Sequence, residues 1–373
     1  MIVLALALLT PIGVPDLVVS ANDGNQVLAD GIQVVPDRPA PGSLSVIALV
    51  PRPRVIATVA VAASVIGPPR SVAVARDGSF AIVTASRKVD PANRHRIVPD
   101  DQVALIDLRG TPHVAAVAHA GAGASGVAIN AAGTRALVAN RSAGTVSLFA
   151  IEPAGLRLLA NLEIGDKTSP AQPLYIDGER RALVTCDGSS KIAVLAIESD
   201  HLRMLPDSLA AGLRPYAIDT AGPRTRAVVG NIGGGGRDVD TISLIALDEA
   251  QPRVVDTVSV GLTPEGLKIS PDGRFVAVNV NNGSNMPRES RRYADHGLLQ
   301  IWRIEGDRLH LVTQAPVGGW GQGVAWSRDG RTILAQAMIG DRIETFGFDG
   351  QHLAPGPALD LPAGPAAIAA AGD

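Results

Sequence analysis

The chain has 373 residues, 46% of them hydrophobic and 18% charged, with a formal net charge of −3. It holds enough apolar material for a large core, and it has neither the basic field that nucleic acid requires nor a polybasic membrane patch. Aromatics at 3% exclude a stacking platform for single-stranded bases, and the single cysteine, Cys186, excludes an internal disulfide and any multi-cysteine metal site.

The chain opens on MIVLALALLTPIGVP, whose apolar run Ile2–Leu9 is too short for a span of about 20 residues. Residues 1–15 read as an apolar lead-in or the remnant of an export signal, with Ala5-Leu6-Ala7 a weak cleavage match and no basic start. That leans towards a periplasmic or secreted protein over a cytoplasmic one. Residues 16–373 read as one domain. DLVVSAND, SLSVIAL and RVIATVAV follow as three short strands, and then a unit begins to recur. An apolar strand, a turn glycine and a second apolar strand appear in VAVARDGSFAIVTAS, VAINAAGTRALVANR and LYIDGERRALVTCD. AIDTAGPRTRAVVGN, LKISPDGRFVAVNVN and VAWSRDGRTILAQAM continue the series. Aligned on Gly78, Gly133, Gly178, Gly222, Gly273 and Gly330, the units lie 44 to 57 residues apart. Glycine supplies the positive φ of such hairpins, and each pair is followed by a third and a looser fourth strand. Cys186 ends a second strand in ALVTCDG and reads as a buried structural thiol.

Six such units, with the C-terminal GPAAIAAAGD as a lone first strand stopping at Gly372, predict an all-β fold. The expected architecture is a seven-bladed β-propeller of four-stranded antiparallel blades. Three N-terminal strands and one C-terminal strand close the last blade, which removes the open sheet edges.

Alternating strand direction puts second-to-third and fourth-to-first connections on one face. The long connections Ala21–Gly42, Ser86–Gln102, Asn231–Asp240 and Asn281–Gly297 all fall there, so they should roof one mouth of the channel. Candidates for binding a ligand come from these loops and from the starts of the inner strands. From the loops come Arg94, Asn281, Asn282, Arg291 and Tyr293; from the channel rim come Arg70, Arg141, Tyr216, Trp320 and Gln322. Arginine offers a planar fork for carboxylate or phosphate. Glu265 is a carboxylate where other blades carry small, polar or aromatic groups, and His296 and His95 are roof histidines within reach of chemistry at pH 7. These three are the candidate acid–base groups. A ring of strand-end oxygens, Glu265, Asn140, Asp187 and Asn231, is the candidate set for a divalent cation, Ca²⁺, which takes 6–8 oxygens. The chain lacks a G-x-S-x-G elbow, an H-E-x-x-H pair and a dinucleotide fingerprint.

The repeats resemble those of YVTN-type seven-bladed propellers, and TPEGLKISPDGRFVAVNVNNGSN is similar to a repeat of the lactonase-like branch. The resemblance covers essentially the whole chain and implies the propeller fold. Its members include 6-phosphogluconolactonase-like and muconate-lactonizing enzymes as well as binding propellers. The expected function is hydrolysis of a small polar lactone or ester at the roofed mouth. The alternative is a non-catalytic exported propeller that binds a small ligand or a protein partner.

Overall fold

The computed structural model describes residues 16–220, 225–235, 239–247 and 251–372; the lead-in at 1–15 lies outside them. Seven four-stranded antiparallel sheets pack with their first strands in a closed cycle around one axis. Blade 1 pairs Gly364–Ala370 with Leu17–Asp23, Ser43–Ala48 and Arg54–Ala60, so both ends of the chain meet in one sheet. Val18 faces Ala370 and Ala21 faces Ala367 across that seam. Blades 2 to 7 follow in chain order. Their inner strands begin at Val72, Ala124, Pro170, Pro215, Pro264 and Gly321.

Inner strands converge, so their residues are small. Gly364–Ala370 is buried throughout, and a Cβ on Gly126 would sit 2.5 Å from the Ala171 carbonyl oxygen of the next blade. The core lies between blades, where β-branched residues interdigitate and Phe275, Trp326 and Phe348 make edge-to-face contacts at 5.1 and 5.7 Å. Blade 7 departs from the pattern. Its fourth strand splits into Leu353–Pro355 and Leu359–Asp360, because Pro355 and Pro357 have no N–H to give the ladder.

Three blades share a polar lock. The side-chain amide of Asn22 donates to Ser43 and Ser45, that of Asn140 to Thr145 and Ser147, and that of Asn231 to Thr241 and Ser243, all between 2.8 and 3.1 Å. Each asparagine ends a second strand and reads a [Ser/Thr]-x-Ser on the third, so the lock is written in the repeat. Asn231 also donates to the Ala211 carbonyl at 3.3 Å. Asn231→Ala strips these buried acceptors and is expected to lower unfolding stability by about 1–3 kcal/mol. A urea midpoint within error of the parent would show that the lock contributes nothing.

Two of the roof connections are β-ribbons, Val27–Ala29 with Ile32–Val34 and Arg87–Asp90 with Asn93–Pro99. The Arg288 amide of the blade 6 connection donates to Asp30 at the tip of the blade 1 ribbon, 2.8 Å away, so the two meet above blade 7. Beneath them Trp320 packs with Val65, Met338 and Ala366. Among the described residues no helix is long and apolar enough to cross a membrane.

Candidate active site

The mouth is built where each fourth strand turns into the next inner strand. In blades 3 to 7 the residue just before the inner strand has left-handed backbone: Gly123, Ser169, Arg214, Thr263 and Trp320, with φ from +47 to +79°. Four of the five carry a Cβ, a conformation that costs roughly 1–2 kcal/mol and persists only where the surroundings enforce it. The strained turns hold the following residues in a fixed ring. Ser125, Ala171, Tyr216, Glu265 and Gln322 each stand one residue into an inner strand.

Pro69 forms the floor. Its ring lies 2.9 Å from where a Cβ on Gly266 would stand, and 3.3 Å from that of Gly323, while its carbonyl faces the Ile368 amide at 3.4 Å. Side chains at these glycines would push the proline out of the channel. A cavity of about 70 Å³ inside the channel is lined in part by Arg70, Tyr175 and the Lys268–Asp219 ion pair, 3.0 Å apart.

Charge concentrates beside Glu265. Asp187, from the connection after the second strand of blade 4, is 3% exposed and takes Arg141 at 2.8 Å and Arg214 at 3.2 Å. The Arg141 guanidinium also lies over the Tyr216 ring, 5.6 Å from its centre. Glu265 keeps a narrow opening to solvent while protein surrounds it on every side. Burial pushes its carboxyl up to about 7, against the pull of Arg214 and Arg141, with Asp187 adding to the rise. Burial likewise raises the Tyr216 phenol, which stays neutral. Asn281 donates to Glu265 at 3.3 Å. Ser125 Oγ and both ends of the Gln322 amide are buried without a hydrogen-bond partner among the described residues, which leaves donors and acceptors for a guest.

The structure thus gathers Glu265, Arg141, Tyr216, Asn281 and Asp187, with Gln322 on the neighbouring inner strand. It adds Arg214, which precedes Pro215 and is visible in the sequence only as a turn residue. Arg87, at the base of the blade 2 ribbon, lies close enough to Arg141 for the two charges to oppose each other. His296 and His95 are exposed; the first pairs with its neighbour Asp295 and the second with Arg94, and neither is among the groups that act on Glu265. Arg94 and Arg291 are also exposed, whereas Arg70 borders the inner cavity and Trp320 belongs to the apolar packing under the roof. Asn282 donates weakly to the His296 carbonyl at 3.5 Å, and Tyr293 caps a turn through its amide to Ser290.

The structure divides the candidate cation oxygens between two kinds of environment. Asn140 and Asn231 donate their side-chain N–H groups to the strand locks and keep their Oδ1 atoms buried without a hydrogen-bond partner among the described residues, whereas Asp187 holds two guanidiniums and Glu265 sits beside the same two cations. Among the described residues no three His, Cys, Asp or Glu side chains cluster for a metal. Cys186 is buried, and burial pushes its thiol up to about 12, so it is no nucleophile at neutral pH. A larger cleft of about 440 Å³ opens on the opposite face beside Arg274, Phe275 and Arg303. Arg274 there is exposed and already paired with Asp272, so the cleft lacks the buried, unspent polar groups of the mouth.

Several solved structures have a similar fold. A "putative 6-phosphogluconolactonase" from Bacteroides fragilis superposes with a TM-score of 0.71 at 14% identity, covering 96% of this chain and 98% of that one. A functionally unknown protein from Desulfotomaculum acetoxidans matches at 0.70, with 13% identity over 95% and 98%. Hydrazine synthase from Kuenenia stuttgartiensis matches at 0.63, with 15% identity over 83% and 91%. The chain shares their propeller fold. At these identities the likeness is one of fold, in keeping with the lactonase-like resemblance of the repeats. No protein-family model matches the chain, and no curated protein matches its sequence.

Proposed function

We propose that the chain is a lactonase-like hydrolase that opens a small polar lactone in the roofed mouth, with Glu265 as general base. The observation that carries this reading is a carboxyl enclosed by protein, poised near neutrality and flanked by two guanidiniums that Asp187 holds in place. A base with a pKa near the working pH combines a useful ionised fraction with a useful affinity for the proton. Glu265 takes a proton from water, and the water oxygen adds to the lactone carbonyl. The negative charge that develops on the carbonyl oxygen faces Arg141 and Arg214. Collapse breaks the ring C–O bond, and the proton held by Glu265 passes to the leaving ring oxygen. One lactone and one water give one hydroxy acid.

The test is proton release from a panel of aldonolactones at pH 7, measured above the spontaneous rate. Turnover that is removed by heat denaturation supports the reading; rates equal to buffer across the panel overturn it. A second reading, a binding propeller, is favoured by apolar side chains exposed on the roofed face, Ile32 at 64% and Leu213 at 51%. It predicts a protein partner captured through that face and no turnover.

A further inference from the structure

The sharpest unexplained feature of the mouth is Arg87. It begins the blade 2 ribbon, whose base is pinned by Ser86 Oγ to the Ile66 carbonyl and by Lys88 to Asp100 at 2.8 Å. The ribbon is therefore a rigid mount rather than a free loop. The Arg87 guanidinium is half-buried, yet it makes no hydrogen bond or ion pair among the described residues. Ser86 holds the Ile66 carbonyl, and the next residue, Gly67, packs against the Arg141 side chain, so Arg87 borders the same turn as a second cation, Arg141, whose own carboxylate partner is shared with Arg214. Setting a half-buried cation towards a buried one costs Coulomb energy that an anion shared by the two would offset. Among the described groups that act on Glu265 and Arg141, three guanidiniums, Arg87, Arg141 and Arg214, stand against two carboxyls, Asp187 and Glu265.

We infer that Arg87 and Arg141 together form an oxyanion-binding site that holds a carboxylate, the group that ring opening creates. The choice of carboxylate rests on the hydrolase reading; the presence of an anion site does not. Two planar forks bordering one turn suit a compact anion with two or more oxygens, and the Ser125 hydroxyl is available nearby, since Gly67 brings both Ser125 Oγ and the Arg141 side chain into one corner. The site discriminates between the two ends of the reaction. A neutral lactone carries no charge for Arg87, whereas the hydroxy acid does, so the product binds more tightly than the substrate. The reaction that follows must be one that consumes a hydroxy acid and keeps its concentration low.

Binding is coupled to Glu265. The charged groups around that carboxyl are Arg141 and Arg214 on one side of the balance and Asp187 on the other, with Tyr216 neutral and Asn281 donating. An anion at Arg141 adds a negative charge nearby, so it binds better while Glu265 is protonated. Affinity should fall as pH rises through about 7.

Isothermal titration of the intact chain tests this with gluconate as the carboxylate probe, inorganic phosphate as the second oxyanion, and sorbitol as the neutral control. Gluconate is expected to bind and sorbitol not, with Arg87→Gln weakening gluconate at least tenfold and Arg87→Lys recovering part of the loss. Gluconate affinity should drop several-fold from pH 6 to pH 8, and Glu265→Gln should flatten that drop. Equal gluconate affinity in the parent and Arg87→Gln overturns the site, as does binding of sorbitol alone. Phosphate binding in place of gluconate overturns the assignment to carboxylate. Arg87-dependent gluconate binding in a protein that opens no lactone retains the site and removes the hydrolase reading.

Discussion

Glu265→Gln is expected to lower lactone turnover by roughly 10²–10⁴-fold, the usual contribution of a positioned general base. The amide keeps the shape and the contact with Asn281 but cannot accept a proton from water. In the parent, turnover should rise with pH through about 7 as the carboxyl ionises, and level off above it. The same residue shapes stability. Its folded pKa is raised from 4.5 to about 7, so the native state holds this proton more tightly than the unfolded chain. The stabilisation is fully present below about 4.5 and is lost as pH climbs through about 7, a change on the order of 3–4 kcal/mol at the usual conversion. Glu265→Gln carries no charge to desolvate, so its melting temperature relative to the parent should improve between pH 5 and pH 8. Melting curves that run parallel over that range would mean that Glu265 is ordinarily solvated, and the proposed base would lose its physical ground.

Asp187→Ala is expected to destabilise the fold by about 2–4 kcal/mol, because it leaves two guanidiniums at the mouth without their shared carboxylate. The lower end of the range for a broken buried pair applies, since the Arg214 side chain is 41% exposed and water recovers part of its loss. Asp187→Asn is the gentler variant and reports on electrostatics. Asp187 raises the Glu265 pKa while Arg214 and Arg141 lower it, so removing the negative charge shifts the balance towards ionised Glu265. The midpoint of the turnover–pH profile should then fall below the parent value. An unmoved midpoint, in a variant that is folded by circular dichroism, would show that Asp187 does not act on Glu265.

The repeat alone determined the fold, the closure and the roofed face. A strand–glycine–strand unit returning every 44 to 57 residues can bury its apolar faces only against copies of itself, and the orphan strand at the C-terminus has one place to pair. Glu265 was singled out for the same reason: it breaks the pattern of its equivalent positions, so comparing blades exposes it. The asparagine locks belong to the repeat too, and the side-chain N–H groups of Asn140 and Asn231 close blades 3 and 5.

Tertiary structure decided which charges meet. Asp187, Arg141, Arg214 and Glu265 belong to blades 4, 3, 5 and 6, and no spacing along the chain encodes a contact set by the curvature of the ring. Arg87 lay hidden among the polar residues of a long connection, because only the folded ribbon directs its base towards Arg141. The roof histidines lie apart from this cluster for the converse reason: exposed connections carry His95 and His296 to local partners. Sequence sets the period and the odd residue in each repeat. The meeting of those odd residues at one mouth, over a floor made by Pro69, is a property of seven blades packed around an axis.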